Sequence, residues 1–248
     1  MVQTRKTSYN ARDWQCARGK NMTTPAFIFD LDGTLIDSVY QHVLAWKEAL
    51  ESIDMHLSVW RLHRRIGMSG SLFVNALFRE IGRPINQGDL EAVSRKHSEV
   101  YARMRDTVRP LPGAKRLLKH LCENKVQWAI ATSGHMHNAK PLLDLLEIPC
   151  SVPVITRDLV ERAKPDPDLF LAAAHRLKFD IEHCVVVGDS IWDLLAARRA
   201  RALGIGLLSG GYGVDELQAA GAYRVYKDPA DLLDHLDEVG VRATVLVP

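Results

Sequence analysis

The chain has 248 residues, 47% of them hydrophobic and 25% charged, enough apolar material for one large domain or a domain with an insertion, at about 150 residues per domain. Its formal net charge is +2, and the excess is local: residues 1–22 carry Arg5, Lys6, Arg12, Arg18 and Lys20 against Asp13, a sum of +4, leaving the remainder near −2. That balance excludes a nucleic-acid binder by composition, and no apolar run approaches the roughly 20 residues that a membrane-spanning helix needs. Cys16, Cys122, Cys150 and Cys184 are scattered without a C-x-x-C pair, the pattern of reduced thiols in a cytoplasmic protein.

Residues 1–24 show neither helical nor strand period and no apolar stretch of a secretory signal. They read as a disordered leader, or as sequence ahead of a true start at Met22, with folding expected from Pro25. The apolar run Ala26–Phe29 then delivers two carboxylates, Asp30 and Asp32, before Gly33 and Thr34 break the strand. Side chains two apart on a strand share a face, and neighbouring carboxylates repel unless a cation lies between them or one is protonated.

Val39–Asp54 reads as helix, with Val43, Trp46, Leu50 and Ile53 at helical spacing. Helical character returns at Leu72–Phe78 and, after Gly82–Pro84, at Leu90–Arg105, so 39–108 passes without a strand signal. Alternation follows: helix Ala114–Glu123, strand Val126–Ala131, helix Asn138–Leu146, strand Val152–Ile155, helix Pro167–Leu177, strand Cys184–Val187. Helix Ile191–Arg199, strand Gly204–Leu208, helix Val214–Ala219, strand Tyr223–Tyr226 and helix Pro229–Val239 complete it. Strands alternating with helices predict an α/β fold, a Rossmann-like, mostly parallel sheet with helices on both faces. The core comprises 25–38 and 109–248, and 39–108 is an inserted α-helical cap.

In such sheets ligands bind outside the carboxyl ends of the strands. Beyond Asp30 and Asp32, one strand ends in Thr132, Ser133 and Gly134, small hydroxyls and backbone donors suited to an anionic oxygen. Another leads to Lys164, Pro165, Asp166 and Pro167, and a third ends in Gly188, Asp189, Ser190 and Asp193. Acids, hydroxyls and one ammonium describe a site for a divalent cation and a phosphoryl group, and oxygen-only donors suit Mg²⁺ rather than Zn²⁺.

The order DLDGT, ATS, KPDPD, GDSIWD, spread over 26 to about 240, resembles the haloacid dehalogenase superfamily of phosphotransferases. The resemblance implies that Asp30 is a nucleophile forming an aspartyl-phosphate and Asp32 the general acid and base. It further implies that Thr132, with Ser133, binds the phosphoryl oxygens, and that Lys164 secures nucleophile and phosphate. Mg²⁺ would be held by Asp30, Asp189 and the main-chain carbonyl of Asp32, with Asp193 acting through water or through contacts to those ligands. Asp32 separates the chain from the dehalogenases, which resemble it but need no acid there.

The stretch DSVYQHVLAWKEAL is similar to the start of the small helical cap of phosphoglycolate phosphatases and beta-phosphoglucomutases, and RRIGMSGSL resembles their cap loop. His42, Arg65 and Gly67 are the cap candidates for substrate specificity. Arg61, Arg64 and Arg65 form a basic cluster, whereas Trp46 and Trp60 read as packing and His135 and His137 as loop residues. Mutases resembling this chain place a basic residue where Gly70 stands, and the Schiff-base lysine of a phosphonoacetaldehyde hydrolase is declared by neither Lys47 nor Lys96. The expectation is a Mg²⁺-dependent phosphatase of a small phosphorylated metabolite, phosphoglycolate or a sugar phosphate. The alternatives are a beta-phosphoglucomutase-like isomerase and an idle binding protein on the same scaffold. Cap movement is expected to hinge near Ser38 and Arg109–Gly113.

Overall fold

The computed structural model describes residues 24–82, 84 and 86–241. The leader lies outside the described residues apart from Thr24, as do Cys16 and Arg83. In chain order the elements are β1 (Ala26–Phe29), β2 (Ile36–Asp37), α1 (Val39–Glu51), α2 (Val59–His63), α3 (Gly70–Glu80), α4 (Gln87–Met104), β3 (Arg109–Pro110), α5 (Ala114–Glu123) and β4 (Trp128–Ala131). There follow α6 (Met136–Leu146), β5 (Val154–Ile155), α7 (Asp168–Leu177), β6 (Cys184–Gly188), α8 (Ile191–Ala200), β7 (Leu203–Leu207), α9 (Val214–Ala220), β8 (Ala222–Tyr226) and α10 (Pro229–Asp234).

Six strands form one sheet in the order β5-β4-β1-β6-β7-β8, and every pairing in it is parallel. β1 lies between β4 and β6, where the chain winds away in both directions, so its carboxyl end opens at the switch point at which such sheets bind ligands. The two faces of β1 are unlike. Phe27 and Phe29 join Trp128, Ile130, Val185 and Val187 under α5, α6 and α10. Ala26 and Ile28 instead join Ala129, Ala131 and Val186 against the alanines of α7 and α8. Buried on both sides, these strands read as unbroken apolar runs rather than as alternation.

The helices α1–α4 bury a core of their own, in which Trp46 stacks on Phe73 at 4.5 Å. This block leaves and re-enters the sheet through a feature absent from the sequence reading, a two-stranded antiparallel ribbon pairing Ile36 with Pro110 and Asp37 with Arg109. Its first strand ends just before Ser38 and its second falls within Arg109–Gly113, the two positions expected as hinges. Two further differences are local. The first helix stops at Glu51 rather than Asp54, and the last stops at Asp234, with Leu236–Val239 continuing as a tighter 3₁₀ turn. Cys122, Cys150 and Cys184 are free thiols. Among the described residues no helix is long and apolar enough to cross a membrane.

Phe29 is fully buried, stacked with Phe27 at 5.9 Å and edge-on to Trp128 at 6.3 Å. Phe29→Ala is expected to lower unfolding stability by about 3–5 kcal/mol through lost burial and the cavity left behind. A urea midpoint shifted at constant slope measures it.

Candidate active site

The loop after β1 is fixed by backbone bonds. Asp30 N–H donates to Val187 O at 2.9 Å, and Gly33 N–H donates to Ile36 O at 2.7 Å. Gly33 has φ +82, and a Cβ there would overlap the Asp189 carboxylate; a Cβ at Gly210 would do the same from the other side. Glycine at both positions thus lets backbone wall in Asp189, whose Oδ1 also accepts from Thr34 Oγ1 at 2.7 Å.

Lys164 is fully buried. Its ammonium pairs with Asp30 Oδ1 and, at 2.7 Å, with Asp193 Oδ1, and lies 5.3 Å from the centre of the Phe170 ring. A buried ammonium is tolerated only when paired in this way. Asp193 reaches it from the first turn of α8, where its other oxygen accepts from the Ser190 N–H at 3.1 Å and from Ser190 Oγ at 2.6 Å. Ser190 and Asp193 together cap the helix, the S-x-x-D form of a capping box. The residue that completes the charge cluster is therefore also the one that starts the helix.

Ligand oxygens of Asp30, Asp189 and Asp193 lie within 4.8 Å of one another, all buried. Burial, opposed by Lys164 and reinforced by Asp193 and Asp32, pushes the Asp30 carboxyl up to about 7. Burial together with repulsion from Asp193 and Asp30 pushes Asp189 well above the usual carboxylate range. Three carboxylates facing one ammonium leave the cluster short of positive charge. With oxygen donors alone, it is suited to a hard divalent cation.

Asp32 turns away from this cluster. Its Oδ1 accepts from Ser38 Oγ at 2.6 Å and stands 3.2 Å from His42 Nε2. Burial would raise its pKa, but His42, Ser38 and Lys164 together hold it below the ordinary value. Thr132 lies at the end of β4, its hydroxyl accepting from Gly134 N–H at 3.0 Å. Ser133 Oγ donates across to Gly67 O at 3.0 Å. Asp30, Asp32, Thr132 and Ser133 border a cleft of about 1480 Å³ between the sheet and the helical block.

The cap candidates are placed as follows. His42 contacts Asp32 directly. Gly67, with φ +97, lies so close to the sheet side that a Cβ would stand 2.7 Å from Ser190 Oγ. Arg65 borders the cleft but is bound to Glu80, which also takes Arg61 at 3.3 Å. Arg64 pairs with Glu216 and lies 4.4 Å over the Tyr212 ring, while its carbonyl accepts from Trp192 Nε1 and Tyr212 OH at 3.2 and 2.9 Å. The basic cluster thus closes the helical block on the sheet and on itself. Trp46 is packed in the helical core, Trp60 is 63% exposed, and His135 sits against Asp158 at 2.6 Å.

Sequence reading missed four residues near the site. Thr34 and Ser38 lie inside the first motif and were readable as hydroxyls beside acids. His97 and Tyr101 carry no local signal, because only the packing of α4 on α1 brings them to His42.

A family model described as haloacid dehalogenase-like hydrolase matches residues 24–201. Hexitol phosphatase A of Escherichia coli (strain K12) is 32% identical over 178 residues, 68% of this chain and 76% of its own length. The phosphoglycolate phosphatase of Caulobacter vibrioides is 30% identical over 204 residues, 78% of this chain and 83% of that protein. Among solved structures, a hydrolase from Pseudomonas syringae superposes with a TM-score of 0.86 at 52% identity, covering 88% of this chain and all, 100%, of that one. The strand-end motifs, the parallel sheet with its helical insertion and these likenesses agree, and the chain belongs to the haloacid dehalogenase-like hydrolases.

Proposed function

We propose that the chain is a Mg²⁺-dependent phosphatase of small phosphomonoesters in which Asp30 is the nucleophile. The observation that carries this reading is the buried cluster in which Lys164 joins Asp30 to Asp193 beside Asp189. A carboxylate attacks a phosphate dianion only where their repulsion is cancelled, and the ammonium stands on the Asp30 oxygen. Asp30, Asp189 and the Asp32 carbonyl would hold the cation. Asp193 keeps its oxygens on Lys164 and Ser190. Mg²⁺, when bound, supplies charge neutralisation and orients the phosphoryl group.

The residues divide the work. Thr132 and Ser133 border the cleft beside Asp30 and supply hydroxyls for the phosphoryl oxygens. The Asp30 carboxylate attacks phosphorus, the ester oxygen leaves with a proton from Asp32, and Asp32 then takes a proton from the water that hydrolyses the aspartyl-phosphate. In the substrate-free site the donors around Asp32 favour its ionised form, the form that activates water. An arriving phosphate dianion favours the protonated form by repulsion. Because both donors take Oδ1, the other oxygen of Asp32 remains for this proton.

On the leaving-group side we assign a hydroxylated compound without a second anionic group. Among the described residues lining the helical side of the cleft, the arginine is Arg65, already held by Glu80, and Ser71, Ser94, Ser98 and Gln87 supply neutral polar groups. Gly70, at the position where mutases resembling this chain carry a basic residue, faces Trp46, which a Cβ there would meet at 3.4 Å. Hydroxyls satisfy such a wall, whereas a carboxylate or second phosphate on this side would meet Glu91 and no arginine beyond the one that Glu80 holds.

Asp30→Asn is expected to reduce phosphate release by about 10³-fold or more while leaving the circular dichroism spectrum unchanged; near-native turnover in the purified variant overturns the nucleophile assignment. Chelation should abolish turnover of the wild-type enzyme and Mg²⁺ should restore it, and activity persisting in chelator removes the cation from the reading. In a panel read by free phosphate, sugar and polyol monophosphates are expected to exceed phosphoglycolate in kcat/KM by about tenfold or more, in line with the asymmetry of hydrogen-bonded recognition. The reverse order overturns the assigned leaving group.

A further inference from the structure

Helix α4 carries two buried polar side chains in its contact with α1, inside a rim where Lys96 and Arg103 pair with Glu48. His97 and Tyr101, one turn apart on the same face, are both buried, among Val93, Val100 and Ala45. The ring of His42 packs against both. Its Nδ1 is 3.1 Å from His97 Nε2, and its face is parallel to the Tyr101 ring at 3.9 Å. Trp46 stacks on His97 in turn, at 4.0 Å. Buried polar atoms in a helix–helix contact cost stability compared with apolar packing, so a mere filler would not need an imidazole and a phenol here.

Both groups lead to one atom. His42 presents Nε2 to Asp32 Oδ1 and Nδ1 to His97. Burial and the neighbouring His42 hold His97 well below the usual histidine range, so its ring is neutral; by donating to or accepting from His42, it fixes the rotation that keeps Nε2 on Asp32. The Tyr101 hydroxyl lies beside Ser38 and Asp32. It has no hydrogen-bond partner among the described residues. Ser38 donates its own proton to Asp32 Oδ1 at 2.6 Å, so the phenol stands behind the hydroxyl that holds the carboxylate.

We propose that His97 and Tyr101 are positioning residues for Asp32, His97 by holding the His42 ring and Tyr101 by backing both that ring and Ser38. Both also border the cleft, but their action on Asp32 runs through His42 and Ser38. Together they pin one oxygen of the carboxylate so that the other is aimed into the cleft. The inference rests on the phosphatase reading and extends it from the residues at the strand ends to a helix that contributes none of them.

The test separates an effect on the proton from an effect on packing. Single-turnover transfer is followed with two esters: the sugar phosphate hydrolysed fastest in the panel above, whose alkoxide needs a proton to leave, and p-nitrophenyl phosphate, whose phenolate does not. Tyr101→Phe, which keeps the ring stack, and His97→Leu are expected to slow transfer from the sugar phosphate about tenfold, with half-saturation unchanged within about twofold, and to slow p-nitrophenolate release by less than about twofold. His97→Gln, which retains a neutral hydrogen-bonding group, is expected to recover most of the loss. Equal slowing with both esters, or no slowing with the sugar phosphate, overturns the proposal. A wild-type enzyme that transfers from neither ester overturns the phosphatase reading itself.

Discussion

An ammonium buried at the carboxyl end of a sheet is stable only if its surroundings supply charge. Lys164 is met by Asp30 from the loop after β1 and by Asp193 from the first turn of α8. Both arrive through ordinary structure. Asp30 is placed by continuation of the β1–β6 pairing, its N–H on Val187 O, and Asp193 by the cap it makes with Ser190. Removing either acid would leave the buried lysine under-compensated. The lysine answers the repulsion only in part, since Asp189 stands in the same cluster, held between glycine backbone at 33 and 210. The remaining negative charge is what makes the site receptive to a cation and, through it, to a phosphoryl group.

The second carboxylate of the first motif belongs to a different neighbourhood. Asp30 is surrounded by the sheet, whereas Asp32 is surrounded by Ser38, just ahead of α1, and by His42 of the helical insertion. Two acids two residues apart thus receive opposite treatment, one pushed up by burial and the other held down by donors. Separation of paired carboxylates by environment is how one site can hold a nucleophile and an acid–base group together. It also ties the chemistry to the fit of the insertion on the sheet, which Arg64, Gly67 and His63 secure through bonds to Tyr212, Ser133 and Gly210.

Much of this was legible in the chain. Unbroken apolar runs alternating with amphipathic helices gave away the parallel sheet, because its central strands β1, β4 and β6 are buried on both faces, and the acids, hydroxyls and lysine at strand ends gave away the cluster. What escaped was non-local. The ribbon of Ile36–Asp37 with Arg109–Pro110 is too short to carry a period and forms only because the helical block returns to its starting point. His97 and Tyr101 look like any helical polar residues until α4 is laid on α1. Arg65 read as a substrate contact because a cation near a glycine-rich loop is chemically apt, and nothing local to it announces Glu80 as its partner.

The alanine-lined side of the sheet has a consequence for the charge cluster. Ala26, Ala129 and Ala131 face Ala173, Ala174, Ala196 and Ala197, so α7 and α8 ride on the strands with little between them. Asp193 lies in the first turn of α8, and Lys164 in the loop that leads into α7. The thickness of this layer therefore acts as a gauge for the electrostatics. An extra methylene between helix and strand is thus expected to lengthen the ion pair as well as to strain the core.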